Sequence, residues 1–172
     1  MIGNKANAVF RWLAYLMEII VVFALGNTPN LMPELFGAKP VLLLCVAMTA
    51  AIFEREIPAM VVGIVCGLLI DLGYSSSIGL FTIALTIICF FVGYAANNLI
   101  VANLRNFLLY SFLTVGGLFM LYFLFNFVLT GVEYRWTYFT RHLVSRMVQT
   151  FLYSFIFYFL NRLIFHLLGE EE

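Results

Sequence analysis

The sequence predicts an all-α integral membrane protein, a six-helix transmembrane bundle in one domain. Three observations carry this. Of 172 residues, 64% are hydrophobic, and the mean hydropathy is +1.04. Only 10% are charged, against roughly a quarter in a soluble domain. The apolar residues also fall in six runs separated by short polar breaks. A water-soluble fold of this length has no means of hiding so much apolar surface. Residues 1–172 therefore form a single transmembrane domain, with no loop long enough for a second.

The first run, 8–25, ends at Gly26-Asn27-Thr28-Pro29-Asn30, where turn-forming residues break it. Lys5 and Arg11 precede its apolar centre, and Ala24-Leu25-Gly26 loosely resembles a signal-peptide cleavage site. Glu18 argues against cleavage, because a signal core rarely tolerates a carboxylate. The run reads as a retained first span. The second run, 41–53, has 13 residues, whereas a helix needs about 20 to cross the hydrocarbon core. It is a tilted span, a re-entrant helix or a helix shielded by its neighbours; if it does not cross, five spans remain. Glu54-Arg55-Glu56 is the next break. Pro58 then suits the first turn of the third helix, 57–72, where its missing N–H costs nothing. Ser75, Ser76 and Ser77 can cap the fourth helix, 78–97. A polar hinge around Asn97-Asn98 and Asn103–Asn106 leads to the fifth, 107–129. The stretch 131–141 holds Glu133, Arg135, Trp136 and Tyr138, whose aromatics suit the headgroup layer. The sixth helix is 142–168, and the chain ends in Glu170-Glu171-Glu172.

Six spans put both termini on one side. That side collects Lys5, Arg11, Arg55, Arg105 and Arg162, against Lys39, Arg135, Arg141 and Arg146 on the other. The small excess favours a cytoplasmic N-terminus.

The formal net charge is zero, and no basic block points to nucleic acid. Cys45, Cys66 and Cys89 lie in three different runs with no CxxC spacing, and read as buried small hydrophobes rather than metal ligands. His142 and His166 form no HExxH pattern, the serines have no GxSxG context, and no phosphate loop is present. The residues name no catalytic group, metal or cofactor. A lipid-modifying enzyme would need convergent acid, base or metal groups, and none is found.

Three polar constellations interrupt the apolar runs. Gly63, Gly67 and Asp71 fall four apart and share a helix face. Two glycines at this spacing let another helix approach closely. Asp71 is either a solvated helix end beside ordinary packing or a carboxylate brought against a partner or ligand. Arg11, Tyr15 and Glu18 line one face of the first helix. Arg11 can snorkel to the interface, whereas Glu18 lies deeper and needs a partner or a proton. His142, Arg146, Gln149 and Tyr153 form a stripe on the sixth helix. The stripe is a set of interface anchors, or it answers Glu18 or Asp71, with Arg146 as the counter-ion.

The stretch from Glu54 to Asn97 carries a resemblance. An acidic-basic break, Pro58, Gly63 and Gly67, then Leu69-Ile70-Asp71, a short polar turn and Gly79 opening the next helix resemble MreD, the small membrane component of the bacterial rod-shape machinery. The resemblance implies a non-enzymatic scaffold in the bacterial cytoplasmic membrane. It implies an MreC-like single-span partner with a periplasmic domain. MreB filaments, a RodA-type glycosyltransferase and a class B penicillin-binding protein complete the implied machinery for side-wall peptidoglycan synthesis. Membrane lipid is a further partner, and a homodimer is compatible. The resemblance also implies the six-helix architecture of energy-coupling-factor substrate-binding subunits, and hence a crossing second helix. By the same carry-over Pro58 shapes a helix start, Gly63 and Gly67 open a packing face, Asp71 fixes a helix end or a polar pocket, and Gly79 permits a tight turn. With Glu18, Arg146 and Gln149 these are the candidate partner or pocket residues.

The competing expectation is a substrate-binding subunit of a vitamin-type transporter. Such subunits often carry AxxxA on the first helix; Ala6, Ala8 and Ala14 do not give that spacing.

Overall fold

A computed structural model describes residues 2–28, 38–74, 79–98, 103–128 and 139–168. Six α-helices are present among them: α1 (Ile2–Asn27), α2 (Leu42–Phe53), α3 (Glu56–Tyr74), α4 (Leu80–Asn98), α5 (Leu104–Phe123) and α6 (Val144–Leu168). α5 runs on into a π-helical turn, Leu124–Val128, and another, Phe139–Leu143, leads into α6. No strand occurs among the described residues. Five helices are long and apolar enough to cross a membrane; α2 is the shorter exception.

The helices alternate in direction. At one end of the bundle Arg11 of α1 meets Glu54 just after α2, and Phe53 stacks on Phe165 near the end of α6. Phe107 at the start of α5 lies 4.8 Å from Tyr158 of α6. We call this the proximal face. At the opposite, distal face Phe81 of α4 packs on Tyr122 of α5, and Phe123 on Phe139.

The short helix α2 is the centre of the molecule. Every residue from Leu42 to Ile52 is buried, and only Phe53 is half-buried. Its twelve residues rise about 18 Å, well short of a hydrocarbon core of about 30 Å. Its burial is that of a helix shielded by its neighbours. A helix apolar all round is a buried helix, and here the other helices, rather than lipid, surround it. Ala38, Pro40 and Val41 are buried as well, so the chain is already inside the protein where α2 begins. The outward faces of the surrounding helices carry the exposed apolar residues, among them Phe10, Met17, Ile83, Phe112, Ile156 and Leu163.

Candidate functional site: polar contacts inside an apolar bundle

At the distal face, α4 begins after Gly79, whose φ of +96° suits a residue without a side chain. The Gly79 carbonyl accepts the first bond of α4, from Ile83 N–H. Gly79 has no side chain to meet the orphan amides of the first turn, and Asp71 supplies the acceptors from the preceding helix. Its Oδ1 accepts from Phe81 N–H at 3.1 Å; its Oδ2 accepts from Thr82 N–H at 2.9 Å and from the Thr82 hydroxyl at 2.6 Å. A carboxylate at a helix N-terminus also suits the positive end of the helix dipole. Ser75, Ser76 and Ser77, expected to cap this helix, lie outside the described residues.

The glycine face of α3 lies on α4 of the same chain. A Cβ on Gly67 would fall 2.6 Å from the Cα of Thr82, and one on Gly63 would fall 3.0 Å from the Cβ of Cys89. Gly93 answers from α4, where a Cβ would be 3.1 Å from the Cα of Glu56. The helices approach this closely because no side chain separates them.

At the proximal face, Arg11 Nε lies 2.8 Å from Glu54 Oε1, an ion pair with little exposure on either side. Asn97 Nδ2 donates to the Glu54 carbonyl at 3.1 Å and to Gly93 O at 2.8 Å. Arg11, Glu54, Arg55, Asn97, Phe53, Pro58 and Phe165 line a cleft of about 520 Å³. Deeper along α1, Tyr15 is buried, and Glu18 Oε1 accepts from Asn161 Nδ2 of α6 at 2.8 Å. Glu18 Oε2 and Asn161 Oδ1 are buried with no hydrogen-bond partner among the described residues. The face of α1 bearing Arg11, Tyr15 and Glu18 thus looks into the bundle.

The start of α2 is held by α6. Val41 N–H donates to Thr150 Oγ1 at 3.1 Å, Thr150 Oγ1 donates to the Arg146 carbonyl at 2.8 Å, and the Cys45 thiol donates to Thr150 O at 3.2 Å. The three cysteines are free and buried.

The expectation that Arg146 is the counter-ion of Glu18 or Asp71 is corrected. Glu18 is met by Asn161 and Asp71 by the first turn of α4, while Arg11 pairs with Glu54. Arg146 is half-buried and Gln149 buried on α6.

Comparison with known proteins is consistent with this picture. The family described as rod shape-determining protein MreD matches residues 6–167. The chain belongs to the MreD family. No curated protein and no solved structure matches. Within this MreD-family bundle, Pro58 sits in the proximal cleft, while Gly63, Gly67, Asp71 and Gly79 form the distal hairpin. Sequence reasoning missed Glu54, Asn97, Thr150 and Asn161. Thr150, Ser154, Phe157 and Asn161 recur at helical spacing and are all buried; the spacing is legible in the sequence, but unlike the stripe through His142 and Arg146 it carries no charge.

Proposed function

We propose that this MreD-family protein is a non-enzymatic scaffold of the bacterial cell-elongation machinery. It sits in the cytoplasmic membrane with its N-terminus in the cytoplasm. It binds an MreC-like single-span protein, and through it works with a RodA-type glycosyltransferase, a class B penicillin-binding protein and MreB filaments in side-wall peptidoglycan synthesis. The family match over 6–167 carries this reading. The chemistry inside the bundle supports it, because the acidic groups facing the bundle interior are engaged in holding helices together: Asp71 on α4, Glu54 on Arg11 and Glu18 on Asn161. Small residues and van der Waals packing, rather than the hydrophobic effect, join helices in lipid. A rigid bundle with exposed apolar faces therefore suits a partner that spans the membrane once.

The test is mild solubilisation of a tagged chain from its native membrane, followed by identification of what accompanies it. A single-span protein with a periplasmic domain, together with cell-wall synthases, is the expected result. Recovery of an ATPase module or a bound vitamin-like compound would replace this reading with a transporter subunit.

A further inference from the structure

The proximal cleft has the composition of a lipid-headgroup site. Its polar wall is Arg11, Glu54, Arg55 and Asn97; its apolar wall is Phe53, Pro58 and Phe165. At about 520 Å³ it has room for far more than the roughly 30 Å³ share of one water. Its formal charge is positive, with two guanidinium groups against one carboxylate. Arg11 is paired with Glu54 at 2.8 Å, while Arg55 is exposed at the rim. Asn97 Nδ2 covers the Glu54 carbonyl just after α2.

We propose that this cleft binds the phosphate group of an anionic membrane lipid, with Arg11 and Arg55 on the phosphate oxygens and Phe53, Pro58 and Phe165 against the lipid's glycerol and upper acyl chains. Guanidinium groups present several donors in a geometry that suits phosphate oxygens. Basic pockets between transmembrane helices are a recurring form of headgroup recognition. The apolar wall favours a lipid over a free phosphate.

The experiment is thermal unfolding of the purified full chain in an uncharged detergent, with short-chain phosphatidylglycerol, short-chain phosphatidylcholine or inorganic phosphate added. Phosphatidylglycerol at tenfold excess over its dissociation constant should raise the midpoint by about 3 °C, with a smaller effect from the other two. Arg55→Gln, at an exposed position, should remove at least half of that rise. Glu54→Gln, which deletes the competing carboxylate, should enlarge it. A rise produced by inorganic phosphate as readily as by the lipid would overturn the lipid assignment in favour of a soluble phosphate compound. Equal responses to both lipids, or a rise unchanged in Arg55→Gln, would overturn the site itself.

Discussion

At the residue scale, the structure turns on a few polar side chains whose partners come from another helix. Asp71 meets two orphan amides and a hydroxyl. Asp71→Ala should cost about 1–2 kcal/mol, as for the loss of a good helix cap, and Asp71→Asn, which keeps one acceptor oxygen, should cost less; thermal unfolding in detergent reads both. For Glu18 the expected outcome runs the other way. Glutamine keeps an acceptor for Asn161 Nδ2 and brings a donor that Asn161 Oδ1 lacks. Glu18→Gln should therefore unfold at or above the parent midpoint, whereas Asn161→Leu, which strands the Glu18 carboxyl, should lose about 1–3 kcal/mol. These sites were unequally legible. Glu18 and Asp71 stand out as charges in apolar runs. Asn161 and Thr150 are neutral and do not stand out. Spacing on α6 showed that Arg146 shares a face with His142 and Gln149, but spacing within one helix cannot say what the next helix places opposite.

At the scale of elements, the α3–α4 hairpin is set by glycines, and the glycines differ sharply from one another. Gly67→Ala would press a methyl into the backbone of Thr82 and should destabilise by about 1–3 kcal/mol through overpacking. Gly117→Ala on α5, where nothing lies within 4 Å, should leave the unfolding midpoint unchanged or raise it, because alanine is the better helix former. Equal effects would mean that close approach is not what Gly67 provides. The start of α2 tests the same logic with a hydrogen bond. Thr150→Val keeps the shape but removes the acceptor for Val41 N–H; it should destabilise by about 1–3 kcal/mol, and Thr150→Ser should restore most of the loss. The long helices were legible because a membrane helix announces itself by a sustained apolar run. The fate of α2 was not, because thirteen apolar residues look the same whether lipid or protein surrounds them.

At the scale of the whole molecule, one enclosed helix is surrounded by others that tie to it at both ends: Thr150 of α6 at its start, Asn97 of α4 and Arg11 of α1 at its end. The membrane class followed from composition alone. The proximal cleft did not, because it exists only where α1, the α2–α3 junction, α4 and α6 converge, from residues as far apart as Arg11 and Phe165. The family match states the biological consequence most plainly: a rod shape-determining protein. The most direct test is depletion of the chain in a rod-shaped bacterium that depends on it, with cell width followed by microscopy and the parent protein or Gly67→Leu resupplied. Cells should round up on depletion, regain rod shape with the parent protein and fail to do so with Gly67→Leu. Cells that stay rod-shaped after the protein is gone would contradict the account.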